Sequence, residues 1–199
     1  MLPPGPMSRF LDQDKAVVGA ENVIHYPEDL LVFEYDGSVD RGMPGAVVFP
    51  ISVEEVSQVM ALAYGESLSV VGRGAGTGLS GGAISSPGGV QIAFTRMHHI
   101  LDVDTENRTA TVEPGVINLD LDVYAHRFGL RYAPDPSSQK ACSLGGNIAE
   151  NAGGPHCLAY GTTTNHVLGM EVVLEDGEIV YLGSMARETP GYDLRGVFT

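Results

Sequence analysis

Residues 70–82 read V-V-G-R-G-A-G-T-G-L-S-G-G, with six glycines in one stretch and, from Gly76 to Gly81, a literal G-x-G-x-x-G. In a doubly wound dinucleotide fold the last of these glycines opens a helix whose N-terminal N–H groups and dipole face a pyrophosphate. The context here excludes that helix. The chain runs on as G-G-A-I-S-S-P-G-G-V, and Pro87, Gly88 and Gly89 break any helix before three turns can form. The acidic residue expected about 20 positions further on would have to be Asp102 or Asp104, and no crossover helix precedes either. So many glycines cost conformational entropy and are not expected of a spacer between strands, although a linker is the alternative reading. A non-helical loop with successive exposed N–H groups can instead form a concave nest for an anion. Thr77 and Ser80 add hydroxyl donors, and Arg73 is the only local cation.

Working outward, residues 46–49 (A-V-V-F) predict a short buried strand closed by Pro50. S-V-E-E follows, where Ser52 can cap a helix and Glu55 can bond back to its start. Val53, Val56, Met60 and Ala63 recur at helical spacing, Gly65 stops the helix, and residues 68–71 form a second strand, a parallel β-α-β unit. Beyond the glycines the signals become antiparallel, with strands at 91–94, 99–103 and 109–112. A helix is predicted from Asn118 as N-cap through Phe128, ended by Gly129. E-D-G then joins strands 170–174 and 178–182 as a hairpin. Residues 1–43 read as a weakly patterned lead-in with turn chemistry at Tyr35-Asp36-Gly37-Ser38 and Arg41-Gly42-Met43-Pro44. The expected division is a lead-in at 1–43, a small parallel lobe at 44–83 and a mainly antiparallel lobe with helices at 84–199, an α+β class.

At 199 residues and 43% hydrophobic, the chain can bury a core as one domain or two small lobes. Its formal charge of -14 disfavours nucleic acid and anionic membrane as partners. The start M-L-P-P-G-P-M places prolines where a signal peptide needs an apolar run, no stretch is apolar enough to span a membrane, and a cytoplasmic location is expected. Cys142 and Cys157 lack zinc-site spacing and read as free thiols, and no metal site is expected.

A second unusual stretch, residues 134–167, reads P-D-P-S-S-Q-K-A-C-S-L-G-G-N-I-A-E-N-A-G-G-P-H-C-L-A-Y-G-T-T-T-N-H-V. Two glycine-plus-hydroxyl segments, one in each expected lobe, suggest an extended ligand. The paired motifs R-G-A-G-T-G-L-S-G-G and P-D-P-S-S…L-G-G-N…N-A-G-G…Y-G-T-T resemble the flavin-binding domain shared by vanillyl-alcohol oxidase and p-cresol methylhydroxylase. The nearest resemblance is to the branch of the glycolate oxidase catalytic subunit and the D-lactate and D-2-hydroxyglutarate dehydrogenases, over roughly residues 20–199.

That resemblance implies a two-lobed fold holding FAD, with Arg73, Gly74, Ala75, Gly76, Thr77, Gly78, Leu79, Ser80, Gly81 and Gly82 around its pyrophosphate. It puts Pro134, Asp135, Ser137, Ser138, Ser143, Leu144, Gly145, Gly146, Asn147, Asn151, Ala152, Gly153, Gly154, Gly161 and Thr162 along the rest of the cofactor. Relatives with a tethered flavin carry histidine where this chain has Thr77, so a non-covalent cofactor is expected. The implied chemistry is oxidation of a small 2-hydroxy acid, the hydride passing to the flavin and the electrons on to an acceptor or further oxidase subunits. No histidine can be assigned as the base. His98, His99, His126 and His25 read as structural, whereas His156 and His166 lie beside the second segment. In the family a further G-S-E-G-T segment and a substrate-binding domain follow Gly191-Tyr192-Asp193-Leu194. This chain ends at Thr199, so the base and the substrate clamp are expected outside it and the chain alone is expected to be inactive. A non-catalytic flavin-binding or partner-docking module is the alternative.

Overall fold

The computed structural model describes residues 5–184 and 191–199. It divides into two compact units, the first running through Arg96 and including Val172–Val180, the second holding Met97–Glu171 and the chain from Tyr181 onward.

The first unit begins with α1 (Pro6–Val18), where Pro6 at the helix start supplies a preset φ. Phe10, Asp14 and Val18 lie four apart on its buried face. This helix is absent from the sequence-based expectation because an aspartate occupies the middle of the stripe and removes the apolar period. β1 (Val23–Ile24) and α2 (Pro27–Leu30) follow. β2 (Ala46–Val48) is buried at all three positions, as a strand covered on both faces must be. α3 (Val53–Gly65) starts as its sequence predicts: the Ser52 hydroxyl accepts from the Glu55 N–H at 3.2 Å, and the Glu55 carboxylate accepts from the Ile51 N–H at 2.8 Å. β3 (Val70–Arg73) and β4 (Val90–Ala93) complete a four-stranded sheet in the order β1-β2-β4-β3.

That order corrects the expected antiparallel role of residues 91–94. β4 pairs in parallel with both β2 and β3 and separates them, so it belongs to the first unit, past the boundary expected at 83. Parallel neighbours need a long crossover. Here the glycine-rich residues 74–89 make one of the crossovers without a helix, which is why the helical period gave no warning of it. Phe10, Val48, Val59, Val90 and Ile92 form the core of this unit, each contributing about 1.5–3 kcal/mol by burial. Arg9 fastens α1 to the end of α3 through Glu66, with the Arg9 Nε 2.9 Å from a carboxylate oxygen.

The second unit carries an antiparallel pair, β5 (Ile100–Asp104) and β6 (Thr109–Val112), turned by Asp104, whose carboxylate accepts from the N–H groups of Glu106 and Asn107. α4 (Asn118–His126) ends two residues before the expected Phe128, with the predicted stop, Gly129, at φ +70° just beyond it. Its start is corrected. The N-cap is Ile117, and Asn118 turns inward, its Nδ2 donating to the Pro134 carbonyl at 3.2 Å. α5 (Leu144–Ala149) and α6 (Cys157–Tyr160) follow, then the hairpin strands β7 (Gly169–Val173) and β8 (Ile179–Gly183), whose tip at Val172–Val180 belongs to the first unit, and α7 (Leu194–Val197). The hairpin turns at E-D-G, with Gly177 at φ +90°. Val116, Leu121 and Leu144 form this unit's core.

Asp14 is fully buried and neither carboxylate oxygen has a protein partner among the described residues. Burial, reinforced by the charge of Glu55, pushes its carboxyl up to about 7. Its folded pKa thus exceeds its unfolded value, so its full contribution holds below about pH 4 and is lost as pH rises through about 7. Asp14→Asn should therefore be more stable than the parent at pH 8, by a few kcal/mol at most, with the gap much narrower at pH 5 and closed only below about pH 4. Urea melts at the two pH values check this; a gap independent of pH would contradict it.

Candidate functional site

The glycine loop leaves β3 at Arg73 and is supported from below. The Arg73 side chain is buried, donates from Nη1 to the Tyr35 carbonyl at 2.9 Å, and lies over the Phe33 ring at 5.6 Å. Burial pushes its pKa down, opposed by Asp36 and Tyr35. Asp36 is buried as well. Burial alone would raise its carboxyl, but hydrogen bonds from Ser38 and Ala83 and the charge of Arg73 hold it below the usual carboxylate range. One Asp36 oxygen accepts from the Ser38 N–H at 2.7 Å, and the other accepts from the Ala83 N–H at 3.4 Å. Gln91, wholly buried in β4, donates from Nε2 to Ala83 and Phe33 carbonyls at 2.8 and 3.1 Å. The lead-in and the far end of the loop are thereby tied to the sheet.

With its underside tied in this way, the loop leaves its own amides without partners in the described chain. Among the described residues, no backbone N–H from 75 to 82 donates to a protein acceptor. Two glycines are required by the chain itself: Gly76 at φ +67°, where a Cβ would strike the Arg73 guanidinium, and Gly81 at φ +76°. Gly78 is different. It has no positive φ, and a Cβ built on it would meet nothing within 4 Å. No contact within the chain accounts for its smallness, as expected where something outside the chain comes close. Leu79 beside it is 79% exposed.

The second segment is held by a different set of contacts. Its first turn, at Pro134, is fixed by Asn118, and the Ser143 hydroxyl caps α5 by accepting from the Gly146 N–H at 3.4 Å. Gly145 donates to the Pro114 carbonyl at 2.8 Å, and a Cβ there would stand 2.7 Å from the Pro114 Cβ, so this glycine serves packing. Asn151, at φ +46°, accepts from the Thr164 N–H through Oδ1 at 3.0 Å. Ala152 receives both the N–H and the hydroxyl of Thr163, at 3.1 and 2.7 Å. Gly154 lies so close to the Asp135 carbonyl that any side chain would collide, and Gly161 takes φ +84° before the Thr162–Asn165 capping box. Asn147 Nδ2 is buried with no partner, an unsatisfied donor within the glycine segment. Ser137 is exposed and Ser138 half-buried, with hydroxyls that donate to nothing in the described chain.

Of the residues expected to serve a cofactor, 75–82 have no backbone N–H paired within the described chain, whereas the Arg73 side chain supports the loop through Tyr35. In the second segment Gly145, Asn151, Gly154 and Gly161 have reasons within the chain, and Asn147, Ser137 and Ser138 have unused polar atoms. Sequence reasoning missed Asp36, Gly37 and Gln91. A Cβ on Gly37 would stand 2.7 Å from the Gly78 carbonyl, so the turn at 35–38 carries the loop. The Y-D-G-S turn signal was the available clue. His156 was noted, but its partner Asp135 could not be paired with it from sequence. Among the described residues no group of histidine, cysteine, aspartate and glutamate side chains could hold a metal, and both cysteines are free. No described helix is long and apolar enough to cross a membrane.

A donor surface of backbone amides, an orphaned buried amide donor and free hydroxyls fit a nucleotide cofactor with a pyrophosphate. Residues 44–183 match the family model described as "FAD binding domain". The glycolate oxidase subunit GlcD of Escherichia coli (strain K12) is 47% identical over 89% of this chain and 36% of its own length. A D-lactate dehydrogenase of Anaerostipes hadrus is 43% identical over 77% of this chain and 32% of its own length. The chain thus spans about a third of the length of these relatives. The structure of p-cresol methylhydroxylase superposes at a TM-score of 0.83 over 100% of this chain and 41% of that one, at 22% identity, and so agrees in fold. Sequence match, fold and a loop of unpaired amides agree that the chain belongs to the FAD-binding domain family of flavin oxidoreductases.

Proposed function

We propose that this chain is the flavin-binding part of an enzyme that oxidises a small 2-hydroxy acid of the glycolate or D-lactate type. In this reading residues 74–82 bind the FAD pyrophosphate through backbone N–H groups, without a covalent bond to the flavin, and residues 134–162 engage the rest of the cofactor. When bound, FAD supplies the hydride-accepting chemistry. The chain's own part is to bind and orient it. The observation that carries the reading is the run of unpaired amides around Gly78, since a chain of formal charge -14 must hold a pyrophosphate through neutral donors. Similarity to glycolate oxidase and D-lactate dehydrogenase supports the substrate class, with further oxidase subunits or a separate electron acceptor as partners. The two unpaired thiols support a cytoplasmic location.

A valine at position 78 would fill the approach to the amides without disturbing any contact of the chain. Gly78→Val should weaken FAD binding more than tenfold, the scale of a lost charge-assisted hydrogen bond, with an unchanged melting temperature. Gly65→Ala, also at an open glycine but on α3, should bind as the parent does. Titration calorimetry measures both, and acid precipitation of the FAD-loaded parent should leave all flavin in the supernatant. Equal affinity in all three proteins, or flavin in the pellet, would contradict the reading.

The chain alone should not turn over glycolate, D-lactate or 2-hydroxyglutarate. A substrate carboxylate needs a fixed cationic clamp, typically arginine. Arg73, the one arginine in either segment, is committed to Tyr35. Dye-reduction assays with FAD and each acid should show no rate above background; substrate-dependent reduction would place the clamp and base within these residues.

A further inference from the structure

Three histidines face carboxylates among the described residues: His99 with Glu113, His126 with Asp122, and His156 with Asp135. The first two lie at the start of β5 and on α4, outside both glycine segments. The third lies inside the second one. There the Asp135 carboxylate grips a single residue twice, accepting from the His156 backbone N–H at 3.1 Å and facing its Nδ1 at 2.7 Å. Asp135 is itself held, because Gly154 packs directly on its carbonyl. Carboxylate and ring are therefore fixed as a unit, with Asp135 only 14% exposed in its side chain and His156 47% exposed. In the neutral ring a carboxylate on Nδ1 selects the tautomer with its proton there, leaving Nε2 as an acceptor. His156 Nε2 has no protein partner among the described residues.

From this geometry we infer that His156 is an additional ligand-binding residue, whose Nε2 accepts a hydrogen bond from a hydroxyl or N–H donor of the flavin nucleotide while Asp135 fixes the ring. The inference rests on the FAD reading and extends it to a residue outside the glycine and hydroxyl pattern. Asp135 then acts through His156 as a positioning residue. The same unit bridges the P-D-P-S-S turn to α6, so a purely structural role must be separated from ligand contact.

Asparagine at 156 makes that separation. Its side-chain amide can still donate to Asp135 from the position of Nδ1, but nothing replaces Nε2. His156→Asn should keep the parent's melting temperature without FAD and bind FAD about three- to tenfold more weakly, the scale of one hydrogen bond. Glutamine at 156, which can place an acceptor near Nε2, should recover part of that loss. Independently, nitrogen-15 spectra of the parent's ring should show Nδ1 protonated and Nε2 bare, with the Nε2 resonance moving on FAD addition. Parent-like FAD affinity in His156→Asn with a stationary Nε2 resonance would overturn the assignment while leaving the FAD reading intact. Absence of FAD binding by the parent would overturn both.

Discussion

The buried Arg73 guanidinium, donating to the Tyr35 carbonyl beneath the glycine loop, is the contact on which the form of that loop depends. A loop rich in glycine has many conformations available, and only a fixed support leaves its amides pointing one way. Arg73 fills the space that a Cβ on Gly76 would need, and Asp36 and Gln91 tie the Ala83 end of the same loop. Removing a buried charge-assisted partner costs several kcal/mol because the group left behind stays desolvated. The loop is thus preorganised by buried polar contacts, while the N–H groups of 75–82 stay unpaired within the described chain. In the proposed reading, that arrangement gives an acidic protein an anion site without an exposed cation in the loop.

Most of what the sequence predicted correctly came from local chemistry. The Ser52 cap, the stop at Gly129 and the E-D-G turn each involve residues within a few positions of one another. The broken context after Gly82 likewise separated this loop from a helix-opening fingerprint. What was not legible depends on distant partners. α1 was hidden because Asp14 interrupts its apolar stripe. The place of β4 between β2 and β3 is a matter of sheet order, which no strand's own residues encode. Arg73 looked like a phosphate ligand because its guanidinium could only be assigned to Tyr35 once the lead-in was folded beneath it. Asn118 looked like a helix cap for the same reason, its partner at Pro134 being 16 residues away.

The candidate residues also divide by whether the chain itself explains them. Gly76, Gly145, Gly154 and Gly161 are demanded by φ or by close packing, so their presence says nothing about a ligand. Gly78, the buried Asn147 amide donor and the unpaired His156 Nε2 have no such explanation. These unexplained positions occur in both glycine segments, and both segments lie within the residues that match the FAD-binding family model.

The most direct measurement of this account is an amide proton–nitrogen correlation spectrum recorded through an FAD titration. The account requires the amides of 75–82 and those of 144–154 to move together in one saturable step, with NAD producing no such step. Shifts confined to one segment, or an equal response to NAD, would contradict the proposal that both segments bind FAD.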